Sequence, residues 1–203
     1  MNTMTDWADV PTLRGKRVVL EPLAAMHADD LRIAVAEGDL WRTWYTNVPE
    51  PAAVDDDIAA RLARHTSDGV IPWATRDLRA GRVVGVTTFL NVSIENRRLE
   101  IGSTWMAKSA QGTGINTEAK LLQLTYAFEV LACNVVEFRT HWHNRQSRAA
   151  IAGLGAKQDG VLRNHMIGRD GTLRDTVAFS IIASEWPTVR LALREKLARH
   201  SEK

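Results

Sequence analysis

The sequence predicts an α+β domain, a mixed and mostly antiparallel central sheet of about seven strands with flanking helices. Three observations carry that prediction. Between Val70 and Met106 three runs of strand period follow one another with short turns between them, the pattern of an antiparallel meander. After Met106 the chain turns through closely spaced glycines into a long amphipathic helical pattern. Beyond that helix come a strand, a helix, a pair of strands and a last helix, with no βαβ repeat.

Taken in order, Arg17 to Leu23 (RVVLEPL) is a first strand ended by proline, and His27 to Glu37 a short helix closed by Gly38. An aromatic stretch from Leu40 to Pro49 leads to a second helix, Ala52 to His65, with Val54, Ile58 and Leu62 on one face. Asp55, Asp56 and Asp57 sit in its first turn, where the helix dipole favours acids. The meander strands are Val70 to Arg76, Arg82 to Asn91 and Arg98 to Met106. A helix over about 115–132, a strand over 135–142 and a short helix opened by Asn144 follow. Strands from Ala156 to Met166 and Thr172 to Ala183, joined through Gly168 and Gly171, precede a final helix over about 184–199.

With 203 residues the chain is long enough for one well-buried core, so a single domain over 1–203 is expected, its core at about 13–186. A formal net charge of +2, spread along the chain, gives no sign of a nucleic-acid partner. The lone Cys133 cannot form an internal disulfide, which suits a reducing cytoplasm. No apolar run is long enough to span a bilayer, and the polar opening residues do not read as a leader, so no membrane partner is expected.

Chemistry concentrates at Ser109 to Lys120. A strand turning through Gly112 and Gly114 into a helix presents free backbone N–H groups at the positive end of the dipole, which suits phosphate or pyrophosphate. Simple capping of the helix by Gln111 and Asn116 is the competing reading. A dinucleotide fold would place its glycines after the first strand of a βαβ unit, and a triphosphatase loop needs Gly-Lys-Ser/Thr where this chain has Gly114-Ile115-Asn116. His141 and His143 share one side of a strand, but two imidazoles without further ligands do not make a metal site, and none is expected.

In combination these segments resemble the GNAT superfamily of N-acetyltransferases. The family motif Gln/Arg-x-x-Gly-x-Gly/Ala is met by Gln111 to Asn116, with Asn116 departing at the last small position. Glu100-Ile101-Gly102 opens the preceding strand, Asn144-x-x-Ser147-Arg148 and Leu154-Gly155-Ala156 come after the turn, and Gly160 to Arg163 and Arg174 to Val177 complete the pattern. The likeness runs from about Leu13 to Trp186 and points to the branch that acetylates the N-termini of ribosomal proteins.

The resemblance implies acetyl-CoA as co-substrate and a primary amine as acceptor, on a protein or peptide N-terminus or a small molecule, attacked directly in a ternary complex. It places coenzyme A on the N–H groups of Gln111, Gly112, Thr113, Gly114, Ile115 and Asn116, on the edge of the strand at Trp105 and Met106, and near Asn144. Glu100 is the base it suggests, against the plain alternative of a charge at a strand start. Ser147 polarises the departing thiolate, and a backbone N–H near Met106 holds the oxyanion. Neither Tyr45 nor Tyr126 lies in the Asn144 helix, so the tyrosine acid common in the superfamily is missing there. Trp41, Trp44 and Trp73 are candidates to wall the acceptor site, with core packing as the alternative for each, and His141 or His143 to line it or act as base. The edge and aromatic surfaces suggest a homodimer. A catalytically silent acyl-CoA binder, or an interaction module of the same fold, stands as the alternative function.

Overall fold

The computed structural model describes residues 7–200, so the first six residues of the polar N-terminal segment and the last three of the chain lie outside it. Among the described residues, eight strands form one sheet in the order β1-β2-β3-β4-β5-β6-β8-β7. They are β1 (Leu13–Arg14), β2 (Val18–Pro22), β3 (Ile71–Asp77), β4 (Arg82–Ser93), β5 (Arg98–Met106), β6 (Val135–His141), β7 (Lys157–Ile167) and β8 (Leu173–Ile182). Every neighbouring pair is antiparallel except β5 with β6. The strand beyond the expected count is β1, too short at two residues to leave a period in the sequence.

Among the described residues five α-helices flank the sheet: α1 (Ala28–Ala36), α2 (Val54–Asp68), α3 (Ile115–Thr125), α4 (Arg145–Ala152) and α5 (Trp186–Arg199). The predicted long helix after the glycine turn continues past Thr125, but as a π-helical turn over Tyr126–Val130. In α2, Val54 and Ile58 are buried and Gly69 closes the helix in the left-handed conformation that glycine adopts without strain. Asn144 caps α4, its side chain accepting from the Ser147 N–H at 2.9 Å.

Successive residues of a strand point to opposite faces. Thr88 on β4 contacts Arg61 of α2, whereas the adjacent Thr87 contacts Lys120 of α3, so α2 and α3 cover opposite faces of the sheet. The core between them includes Leu20, Ile71, Trp73, Phe89, Leu99 and Leu124, all essentially inaccessible to solvent.

Two irregularities in β5 position the site. Its pairing with β6 is confined to three residues, Arg98 to Glu100 against Val135 to Glu137, and beyond them the two strands part. Between Gly102 and Trp105 the register with β4 shifts, so that Ser103 and Thr104 together face Thr87, and Ser103 takes a left-handed φ of 46°. This is a β-bulge.

Candidate active site

Beyond Met106 a 3-10 turn, Lys108–Ala110, delivers the chain to the glycine turn. Gly112 and Gly114 both have positive φ, 76° and 91°. A Cβ built on Gly112 meets nothing within 4 Å, so the glycine answers to the backbone conformation and faces open space. The turn is tied down by its own side chains. Thr113 Oγ1 donates to the Ala110 carbonyl at 2.7 Å and Gln111 Nε2 to the Met106 carbonyl at 3.1 Å. Gln111 Oε1 accepts from Gln146 Nε2 at 3.0 Å, which joins the turn to the first turn of α4. Two helix N-termini therefore converge on one region, the arrangement that favours anions.

Glu118, in the first turn of α3, accepts three backbone N–H groups, from Lys16 (3.0 Å), Arg17 (2.7 Å) and Val18 (3.0 Å). It staples the start of α3 to the loop before β2. Gly15 makes room for it, since a Cβ there would come within 2.6 Å of the carboxylate. Asn116 Oδ1 is buried with no hydrogen-bond partner among the described residues. As an acceptor it does not suit a phosphate oxygen, and it calls for a hydroxyl or amide N–H.

Where β5 and β6 part, Glu100 is buried, and its Oε2 accepts from Asn91 Nδ2 at 2.8 Å with Arg139 Nε at 3.5 Å. Burial pushes its carboxyl above the ordinary range, outweighing the Asn91 hydrogen bond and the Arg139 charge. Beyond Glu100 the β6-facing edge of β5 carries no strand partner as far as Met106.

At the far end of β6 lies a cleft of about 360 Å³, lined by Trp44, His141, His143, Arg163, Asn164 and Asp175 among others. Trp44 packs edge-on to His141 with ring centroids 5.1 Å apart and lies 5.7 Å from His143, and Tyr45 reaches within 5.9 Å of His141. His141 Nδ1 accepts the His143 N–H at 3.1 Å. Burial, then the neighbouring Arg174, lowers the His141 pKa. Arg174 is also felt by Glu100, so this half-buried guanidinium connects the two ends of the site electrostatically.

Of the aromatic candidates, Trp44 lines the cleft and stands half exposed. Trp41 is partly buried against the core, and its carbonyl accepts from Arg169. Trp73 is not part of the cleft. It has no solvent exposure, stacks edge-on with Phe89 and donates its indole N–H to the Pro11 carbonyl at 2.8 Å, so it is a core residue. Trp105 and Met106 have buried side chains and present backbone only. Ser147 is half buried in the first turn of α4. Sequence reasoning missed Arg139, Arg174, Glu118 and Lys120. Only Glu118 left a readable signal, an acid in the first turn of a helix.

Residues 17–157 match the Acetyltransferase (GNAT) domain family. The chain belongs to the GNAT acetyltransferases. Its fold matches a GCN5-related N-acetyltransferase from Brucella melitensis with a TM-score of 0.85 and 30% identity, over 92% of this chain and 85% of that one. A proposed acetyltransferase from T. thermophilus gives 0.83 and 32%, over 94% and 99%. YdaF of Bacillus subtilis (strain 168), a proposed ribosomal N-acetyltransferase, is 35% identical over 106 residues, which is 52% of this chain and 57% of YdaF. Mycobacterium smegmatis RimJ, solved with CoA-disulfide, shares the fold with a TM-score of 0.77 at 24% identity, over 93% of this chain and 96% of RimJ. Among the described residues no group of three or more His, Cys, Asp or Glu side chains is placed to hold a metal ion, and no helix is long and apolar enough to cross a membrane.

Proposed function

We propose that this protein transfers the acetyl group of acetyl-CoA to the α-amine of a protein or peptide N-terminus, in the cytoplasm. The observation that carries the reading is the open edge of β5, which runs from the buried Glu100 to the glycine turn and ends at the convergence of two helix N-termini. The residues suit coenzyme A. Gln111 to Asn116 offer backbone N–H groups and open space to its phosphates, the unpartnered Asn116 Oδ1 suits a hydroxyl or amide of the pantetheine arm, and the free edge of β5 can pair with its amides. When bound, acetyl-CoA supplies the activated acyl group.

Glu100 takes the proton of the acceptor ammonium, directly or through water. Its raised pKa brings the carboxylate closer to the basicity that such a base needs at neutral pH. Backbone N–H groups at the bulge of Ser103 and Thr104 and on the open edge toward Met106 hold the oxyanion. The start of α4, with Ser147, faces the departing sulfur and favours its negative charge. His141, His143 and Trp44 bound the acceptor cleft, whose volume of about 360 Å³ suits a peptide end. The likeness to YdaF makes ribosomal proteins the first acceptors to try. The apolar exposed residues Leu162, Met166, Ile167 and Leu173, on the edge strand β7 and its neighbour β8, support pairing of two copies through that edge.

The test is incubation of the purified protein with isotope-labelled acetyl-CoA and ribosomal proteins, followed by mass spectrometry of their N-terminal peptides. Label at one or a few α-amines is expected. Coenzyme A binding seen by calorimetry with no labelled amine among proteins, peptides and small amines would favour a silent acyl-CoA binder instead.

A further inference from the structure

Lys120 is an unusual residue. Its side chain is buried, and burial alone pushes its ammonium down to about 7, with no carboxylate in contact. Its Nζ donates to three oxygens, Thr87 Oγ1 at 2.5 Å, Gln123 Oε1 at 2.8 Å and Thr104 Oγ1 at 3.0 Å. Three acceptors for three N–H groups is the full valence of an ammonium. Gln123 turns its oxygen toward Lys120 although its own Nε2 is left buried and unpartnered. A buried cation without an anion is costly, and replacing it with an apolar side chain is often stabilising. Fold stability therefore gives no reason for the lysine.

The place it holds does. Thr87 and Thr104 stand opposite one another across the β5 bulge, with their hydroxyls 2.8 Å apart. On the other face of the sheet Arg61, itself held by Asp57 at 2.7 Å, donates to Thr88 Oγ1 at 3.1 Å and to the Ser103 carbonyl at 3.2 Å. The bulge is gripped from both faces by buried cations. It lies three and four residues past Glu100 on the open edge, roughly 10–13 Å along an extended strand, where the acyl carbonyl sits in the proposed function.

We propose that Lys120 is a positioning residue for acetyl transfer, which acts through Thr104 to fix the β5 bulge and the backbone donors it presents to the acyl carbonyl. Arg61 braces the same bulge from the opposite face. Lys120 touches neither co-substrate, so its loss should leave binding intact and slow the chemical step. This inference rests on the acetyl-transfer reading.

The experiment compares wild type, Lys120→Met, Thr104→Val, Thr104→Ser and the double variant Lys120→Met/Thr104→Val. The probe is a mixed-sequence peptide pool with free α-amines, and released coenzyme A thiol is the readout. Lys120→Met and Thr104→Val should each lower kcat about 10–100-fold, the cost of misplacing reacting groups by about an ångström, with KM for acetyl-CoA within about twofold. Thr104→Ser, which keeps the hydroxyl, should restore the rate. The double variant should be no slower than the slower single variant, because both break one link. Thr104 lies on the exposed side of the network, so Thr104→Val tests the link even if Lys120→Met does not fold. Kinetics of both single variants equal to wild type, or multiplicative losses in the double variant, would overturn the proposal alone. A wild type that binds no coenzyme A would overturn the acetyl-transfer reading and this inference with it.

Discussion

Two buried glutamates stand on either side of this site, and their surroundings could hardly differ more. Glu118, at the start of α3, is surrounded by donors, three backbone N–H groups from a loop one hundred residues away. Glu100, where β5 and β6 part, has one amide at 2.8 Å and a guanidinium nitrogen at 3.5 Å, and burial outweighs both. The first carboxylate is saturated and serves as a staple. The second is short of partners and has capacity left for chemistry. The same side chain at similar burial is held as scaffold or left short of partners according to how many donors meet it.

The largest expected effect tests the reagent. Glu100→Gln keeps the shape and the Asn91 contact but removes the basicity. Turnover should fall about 10²–10⁴-fold, with coenzyme A affinity by calorimetry unchanged. If turnover survives while His141→Ala abolishes it, the base sits in the cleft at the end of β6 and Glu100 belongs with Glu118 as scaffold.

Next comes the scaffold. Glu118→Ala strands three backbone N–H groups, one of them, at Val18, buried. It should cost about 3 kcal/mol of folding stability in urea titrations, since each unmet buried donor costs about 1–3 kcal/mol and the exposed ones recover water. Residual kcat of the folded fraction should be near normal. Loss of kcat without loss of stability would erase the contrast between the two residues.

A somewhat smaller effect is expected at the phosphate end. Gly112→Val places a branched side chain in the open space before α3 and in a left-handed conformation, which costs about 1–2 kcal/mol in stability. Coenzyme A affinity should weaken about 100-fold through loss of charge-assisted hydrogen bonds worth about 1.5–3 kcal/mol each. Unchanged affinity would remove the turn from the cofactor site.

What the sequence made legible follows the range of the forces involved. The β-branched, apolar run of Arg82 to Asn91, the helical period around Ile58, the cap at Asn144 and the glycine turn are local, and each appears where its composition, period or turn chemistry places it. The two-residue β1 and the π-helical turn at Tyr126–Val130 have no period to read. Trp44 and Trp73 look alike as tryptophans in aromatic, proline-flanked stretches of the sequence. Only the fold shows that one faces the cleft and the other packs on Phe89. Glu118, Lys120 and Arg174 act through residues far away in the chain, so their roles exist only once the sheet has closed.

The smallest effect discriminates most directly between the two kinds of glutamate. The Glu100 carboxyl has its pKa raised above the ordinary 4.5 by burial. Between 4.5 and the raised value the folded protein binds a proton at Glu100 that the unfolded chain has released, so stability contributed there is lost as pH rises through that window. It is fully present below the unfolded value and absent above the folded one. Glu100→Gln does not titrate, and comparison with it isolates this contribution from every other group. Urea midpoints of both proteins near pH 4.5 and near pH 7 should show the wild type losing ground to the variant as pH rises. If the wild type instead gains on the variant toward neutral pH, Arg139 and Arg174 hold the carboxylate as a structural ion. Glu100 would then be a second staple, and the base would have to be sought at His141 or in the neutral amine itself.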